Sequence, residues 1–170
     1  MPFLGPDLTV RRLNADQWEL VAPVTYRGQI DVWTVPEGFV TDFASVPPAA
    51  VWLIPRTGDY TLAAVLHDWL CGPGIRGGLI HPVDCDGVFR RVLRELGVPT
   101  LRRWLMWAGV RWSATTQAHR RPGWWSTAPA LIALSIAALP ILVPAGLGVL
   151  LGLGLYRVAE RLASGIHASR

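Results

Sequence analysis

Residues 123–156 contain no charged side chain over 34 consecutive positions, and this stretch restricts the fold more than any other feature. A single unbroken helix of that length would span about 50 Å, whereas the hydrocarbon core of a bilayer is about 30 Å thick. Pro140 and Pro144 lie near its middle, and each removes a backbone hydrogen bond and favours a break. We therefore expect a hydrophobic helical hairpin over 123–156 that inserts into a membrane. A single tilted crossing with a re-entrant first arm and a buried hairpin of a soluble fold are the alternatives.

Aromatic and basic residues stand at both ends of the apolar stretch. They are Arg120, Arg121, Trp124 and Trp125 at the first end, and Tyr156, Arg157 and Arg161 at the second. Tryptophan and tyrosine are enriched at membrane interfaces, and arginine is enriched on the cytoplasmic side. We therefore expect both ends of the hairpin in the cytoplasm. The first residues of the chain lack the apolar segment of a signal peptide, so no cleavable signal peptide is expected.

Composition and charge also favour contact with lipid. Hydrophobic residues make up 51% of the chain and charged residues 16%, and the mean hydropathy is +0.32. These values are more apolar than those of an average soluble domain. Residues 1–86 hold five arginines and ten acidic residues, whereas residues 87–170 hold eleven arginines and two acidic residues. Arginine binds phosphate groups of nucleic acids or lipids, and the neighbouring apolar stretch favours lipid, so nucleic-acid binding is not expected.

The chain before the apolar stretch predicts an α+β domain over residues 1–116. Residues 7–40 are rich in Val, Thr, Trp and Tyr with partial alternation, which indicates a small antiparallel β-sheet. Three segments with helical periodicity follow, in which "YTLAAVLHDWLC", "PVDCDGVFRRVLRELG" and "TLRRWLMWAGVRWSATTQ" are expected to pack together. A basic linker at 117–122 would join this domain to the hairpin, and a basic tail would occupy 157–170.

Three polar residues interrupt the apolar pattern of the first two helices and are candidates for chemistry. His67 and Asp68 are adjacent in the first helix, and Asp86 opens the second. If the two helices are antiparallel neighbours, Asp86 can orient His67, which would then act as a general base that activates a water. Asp68 points about 100° away and can coordinate a hard cation through oxygen. The alternative is a buried polar pair that only fixes the register of the helices.

The loop "GFVTDFAS" precedes the first helix and is expected to complete this site. It supplies Asp42 as a second oxygen ligand for the cation, with Gly38 and Ser45 supporting the loop.

Three blocks of the sequence resemble a family of unknown function that is found in tailed phages and prophages. They are "GFVTDFASVPP", "AAVLHDWLC" and "CDGVFRRVLRELGV", and the family pattern runs G-F-x-T-D-F-A-S-V-P, H-D-x-L-Y, A-D-x-x-F. The resemblance covers about residues 8–115. It implies a phage or prophage origin, with other phage proteins as partners, and it assigns no activity.

The pair of His-Asp helices is also distantly similar to phospholipases that cleave the sn-2 ester. That resemblance implies that His67 is the base, that Asp86 orients it and that Asp68 binds Ca²⁺, although the glycine-rich calcium loop of those enzymes has no clear counterpart here. The chain is thus expected to be a membrane-associated phage protein with a phospholipase-like hydrolase site. The alternative is a non-catalytic phage structural or membrane-docking protein.

The two cysteines depart from these patterns. Cys71 stands where both patterns have tyrosine, and Cys85 stands where the phage family has alanine. The packing that brings His67 to Asp86 would also bring the two thiols together. A disulfide, worth about 3 kcal/mol in an oxidising compartment, and two buried free thiols are both consistent with the sequence.

Overall fold

The computed structural model describes residues 2–5, 7–28, 30–43, 46, 50–55 and 57–168, and for residues 165–168 it describes the backbone alone. Ser45, a predicted loop residue, lies outside the described residues. The strands are β1 (Phe3–Leu4), β2 (Val10–Arg12), β3 (Trp18–Leu20), β4 (Val24–Arg27), β5 (Val32–Val35) and β6 (Val40–Thr41). The helices are α1 (Thr61–Trp69), α2 (Pro82–Glu95), α3 (Thr100–Ser113) and α4 (Trp124–Ala168). The predicted α+β class is confirmed.

The strands form two small antiparallel sheets, whereas the sequence predicted one. The first has the order β1-β4-β5 and the second the order β2-β3-β6. Pro23 separates β3 from β4, and because proline has no N–H to donate, the ladder of the second sheet stops before it. The chain then enters the first sheet, in which Val24 pairs with Val35 across the hairpin. Between β4 and β5, Gly28 N–H donates to the Asp31 carbonyl at 2.8 Å.

A shared core joins the first sheet to α1 and α2. Tyr26 and Val35 of the sheet are fully buried, as are Val65 of α1 and Val92 of α2. Helix α1 continues through a π-helical turn at Leu70–Gly74. Gly97 follows the end of α2 with φ +77°, and Val98 N–H donates to the Leu93 carbonyl at 2.9 Å. This left-handed conformation favours glycine, which has no Cβ.

Helix α4 is one continuous helix through Pro140 and Pro144, not the predicted hairpin. Each proline removes one hydrogen bond, but a turn within an apolar segment would leave several backbone groups without partners, which is the larger penalty. The helix is long and apolar enough to cross a membrane, and 11% of its most apolar window is buried. The core helix of a soluble protein can have the same length and composition, but most of such a helix is buried.

The first half of α4 packs against α3. Trp124, Ala128, Leu131 and Ala138 recur at helical spacing and are buried, and the first three form one cluster with Trp107 of α3. Beyond Leu142 the described side chains of α4 are mostly exposed. The apolar stretch therefore consists of a section that packs on the domain and a section that does not.

Candidate functional site

Helices α1 and α2 bring His67 and Asp86 into direct contact. Nε2 of His67 lies 2.7 Å from Oδ1 of Asp86, and the ring of Phe89, one turn along α2, lies 4.6 Å from the imidazole. His67 is 6% exposed and Asp86 is fully buried. The expected contact between the two helices is thus present, but it is enclosed in the core.

Two buried arginines share the carboxylate of Asp86. Nη1 of Arg111 donates to Oδ2 at 2.8 Å, and Nη2 of Arg120 donates to Oδ1 at 2.8 Å. Burial alone would raise the pKa of Asp86, but the hydrogen bond from His67 and the charges of His67 and Arg120 outweigh it, so the pKa is lowered. Asp86 is therefore an ionised group that compensates two buried cations.

The position of Arg120 differs from the prediction. The sequence placed it in a basic linker at the membrane interface, whereas it ends the second of two 3₁₀ turns (Ala114–Thr116 and Ala118–Arg120) and is buried. The attraction of the buried carboxylate accounts for this, because an arginine is removed from water only when its charge is paired. Arg111 was not predicted as a site residue. The sequence feature that could have identified Arg111 is its position one helical turn after Trp107, on the buried face of α3.

This cluster also fixes the start of α4. Nε of Arg111 donates to Oγ1 of Thr127 at 3.1 Å, and Nε1 of Trp124 donates to the Arg111 carbonyl at 2.9 Å. Trp124, which was predicted as an interfacial anchor, is accordingly buried, while Trp125 is 81% exposed and Tyr156 is 66% exposed. The cluster thus connects α1, α2 and α3 to the apolar helix.

Asp68 faces the loop that precedes α1, as predicted. Thr41 Oγ1 donates to Oδ2 of Asp68 at 2.6 Å and accepts from the N–H of Phe43 at 3.0 Å. Phe43 has φ +63°, a backbone conformation that residues other than glycine rarely adopt. Its buried ring packs on Trp18. Burial raises the pKa of Asp68 to about 6; the charge of Asp42 adds to the rise, while Thr41 and His67 oppose it. Gly38 lies in the turn before β6 with φ +79°.

The raised pKa of Asp68 predicts a pH-dependent stability. A carboxyl group whose pKa is higher in the folded chain favours folding when protonated, and this contribution is lost as pH rises from about 4 through about 6. Asp68→Asn, which keeps an acceptor for Thr41, should therefore gain stability relative to wild type by about 2 kcal/mol between pH 4 and pH 7. Denaturant unfolding of the full chain in detergent and chelator measures this difference. An identical pH profile for both proteins would refute the prediction.

A disulfide joins the two cysteines beside the His67–Asp86 contact. Cys71 and Cys85 have Cα atoms 6.1 Å apart and close a loop with a sequence separation of 14. Sγ of Cys71 lies 3.1 Å from Nε2 of His67, and Nε2 of His119, in the second 3₁₀ turn, lies 3.0 Å from the Cys71 carbonyl. The α1–α2 contact is thus held by a covalent link and a buried hydrogen bond.

Replacing both cysteines with serine should lower the free energy of unfolding by about 3 kcal/mol, because the unfolded chain loses the constraint of a loop of about 15 residues. Denaturant unfolding with and without a reductant, in chelator, measures this effect. The reductant should lower the stability of wild type by a similar amount and leave the double variant unchanged. Wild-type stability that is indifferent to the reductant would contradict a structural disulfide.

A cleft of about 500 Å³ lies on another face of α2. Asp31, Trp33, His81, Asp84 and Arg91 contribute to its lining. His67 and Asp86 are not among the residues that line it. The cleft therefore gives a large ligand no access to the buried pair.

Comparison with known proteins identifies the family. A family model described as "Protein of unknown function (DUF1353)" matches residues 18–110, which is more than half of the chain. No curated protein and no solved structure matches the chain. The matched segment runs from β3 into α3, so it includes His67, Asp68 and Asp86 but ends before Arg111 and α4. The chain therefore belongs to the family of proteins of unknown function DUF1353.

Proposed function

We propose that the chain is a membrane-anchored protein of a phage or prophage, in which the His67–Asp86 pair stabilises the packing that holds the α+β domain on its anchor helix. The phage origin is supported by the order of the three sequence blocks. The observation that carries the membrane role is the apolar surface of α4 that no described element covers. The exposed residues include Ile141, Val143, Leu147, Leu150, Leu151, Leu153 and Leu155. An apolar surface of this extent in water favours association with lipid or protein.

The dimensions of α4 favour one crossing. Residues 139–156 follow Ala138, the last buried residue among the described side chains of α4, contain no charge and would span about 27 Å as a helix, close to the thickness of a hydrocarbon core. Arg121 would then lie on the side of the domain, and Arg157, which follows exposed Tyr156, on the opposite side. In this proposal a single crossing takes the place of the expected hairpin, whose two ends would both lie in the cytoplasm.

The test is vesicle flotation of the full chain. The protein should float with phospholipid vesicles and remain with them after an alkaline wash, because a spanning helix is extracted only by detergent. Protease added to one side should remove either the domain or the residues after Tyr156, not both. Protein that stays at the bottom of the gradient would overturn the proposal.

The arrangement around Asp86 supports an architectural role for the polar pair. Two arginines already compensate the charge of the carboxylate. The pair is also buried, and an ionised group enclosed in this way must be paired for the domain to fold. This is the function of the pair that its contacts favour most.

A lipid-ester hydrolase is the second candidate, and one observation favours it. Asp86 bonds Nε2 of His67, and among the described residues no hydrogen-bond partner faces Nδ1, which is the nitrogen that would activate a water. The negative charge of Asp42 repels that of Asp68 and raises the pKa of Asp68. A Ca²⁺ ion between the two carboxylates would relieve this repulsion. These contacts would support a phospholipase-like site in which Ca²⁺ polarises the ester.

The hydrolase proposal predicts that His67→Ala abolishes ester cleavage while the domain stays folded, because only the base is lost. Fatty-acid release from phospholipid vesicles with millimolar Ca²⁺ is the measurement. His119→Ala, which alters a histidine outside the His67–Asp86 contact, should retain activity. Wild type that releases no fatty acid with Ca²⁺ present would exclude the hydrolase and leave the anchoring proposal intact.

A further inference from the structure

Four side chains with metal-binding atoms converge where α1 meets α2. They are His67, Cys71, Cys85 and Asp86, and one ligand atom from each lies within 4.8 Å of all the others. All four residues are buried. His67 and Cys71 are four residues apart on one helical face, and Cys85 and Asp86 begin the facing helix, so two rigid elements hold the set.

We propose that reduction of the Cys71–Cys85 disulfide converts this cluster into a binding site for one Zn²⁺ ion. Two thiolates, an imidazole nitrogen and a carboxylate oxygen are a tetrahedral set that suits zinc, with Zn–S distances of about 2.3 Å and Zn–N distances of about 2.0 Å. Sulfur and nitrogen ligands disfavour Ca²⁺ and Mg²⁺, which take oxygen. The site is distinct from the Asp42–Asp68 pair, which offers oxygen alone.

The balance of charge favours zinc in this buried place. The oxidised cluster has one carboxylate against Arg111 and Arg120, a net charge of +1 when His67 is neutral. Zn²⁺ with two thiolates adds no net charge, so the two arginines remain compensated to the same extent. A carboxylate and thiolates without the metal would place three negative charges here, and Zn²⁺ without thiolates would add two positive charges. Metal and thiolates together therefore leave the net charge of the cluster unchanged, as two neutral thiols would.

The surrounding contacts can orient the ligands. Oδ2 of Asp86 keeps its hydrogen bond from Arg111, while Oδ1 keeps its hydrogen bond from Arg120 and exchanges its contact with His67 for the metal. Hydrogen bonds to a ligating carboxylate fix its orientation and raise metal affinity. His67 would bind through Nε2, with its proton on Nδ1. The cluster therefore already contains hydrogen-bond partners for the carboxylate ligand.

The conversion is chemically balanced. A dithiol reductant gives two electrons and two protons to the disulfide, the S–S bond breaks, and the reductant forms its own disulfide. Zn²⁺ then displaces the protons of the two thiols, which leave to solvent, and the metal replaces the covalent link between α1 and α2. The domain would thus keep this link in both oxidising and reducing compartments.

The test uses the full chain in detergent micelles, reduced with a water-soluble phosphine that is then removed. The reduced protein should bind one Zn²⁺ per chain by calorimetry, and Co²⁺ in its place should give thiolate-to-metal charge-transfer absorption. The oxidised protein should bind neither ion. Cys71→Ser and His67→Ala should each weaken zinc binding at least about 100-fold under reducing conditions.

The matched control is His81→Asn, since His81 caps α2 outside the cluster and asparagine preserves that cap. This variant should bind zinc as wild type does. Circular dichroism establishes that each protein is folded, so a failure to bind is not a failure to fold. The proposal is overturned if folded, reduced wild type binds no zinc, if the oxidised protein binds equally well, or if Co²⁺ shows no thiolate absorption.

Discussion

Asp86→Ala should destabilise the α+β domain by about 3–5 kcal/mol, a large part of the roughly 5–15 kcal/mol that stabilises a typical domain. The substitution leaves Arg111 and Arg120 buried without a counter-charge and removes the partner of His67. Breaking a buried ion pair by removing one partner is among the most destabilising single changes, because the remaining charges cannot be hydrated. Denaturant unfolding of the full chain, followed by tryptophan fluorescence, measures the loss.

Asp84→Ala is the matched control for this prediction. Asp84 lies two residues earlier in α2 and is exposed, so its loss should cost about 0.3–1 kcal/mol through the helix dipole. A second variant separates charge from packing: Asp86→Leu combined with Arg111→Met and Arg120→Met should recover most of the stability, since no buried charge remains. Asp86→Ala within 1 kcal/mol of wild type would show that the cluster does not hold the domain together.

The combination of Leu147→Arg and Leu150→Arg should abolish stable membrane association. Both side chains are exposed near the middle of residues 139–156, and each arginine at the centre of a spanning helix costs about 2.5–3.5 kcal/mol. The two together lower the inserted fraction by at least about 1,000-fold. Vesicle flotation followed by an alkaline wash measures the effect, and near-ultraviolet circular dichroism should show an unchanged domain, because neither leucine is in the described core.

A pair of substitutions outside the proposed span provides the control. Val158→Arg and Leu162→Arg replace apolar residues that are as exposed as the first pair but follow Arg157. This variant should float with the vesicles as wild type does. Equal loss in both variants would show that hydrophobicity alone, rather than depth in the bilayer, controls the association. If both variants remain with the vesicles after the alkaline wash, α4 does not insert.

Periodicity within each segment was enough to predict the three helices of the domain and the face that joins α1 to α2. His67 and Asp86 each lie on an apolar helical face, so packing those faces had to bring them near each other. Gly97 marked the end of α2 because a left-handed residue favours glycine. The division of the strands between two sheets was missed, because the partner of a strand two to four residues long depends on distant pairing rather than on its own residues.

The sequence by itself determined the α+β class, the family, the apolar character of residues 123–156 and the polar residues of α1 and α2, since these follow from local composition and spacing. The tertiary structure alone decided that Arg111 and Arg120, which follow Asp86 by 25 and 34 positions, compensate its charge, and that Trp124 packs against α3. The physical reason is that the free energy of a buried ion depends on which charges surround it in space. Neighbours along the chain do not fix that environment.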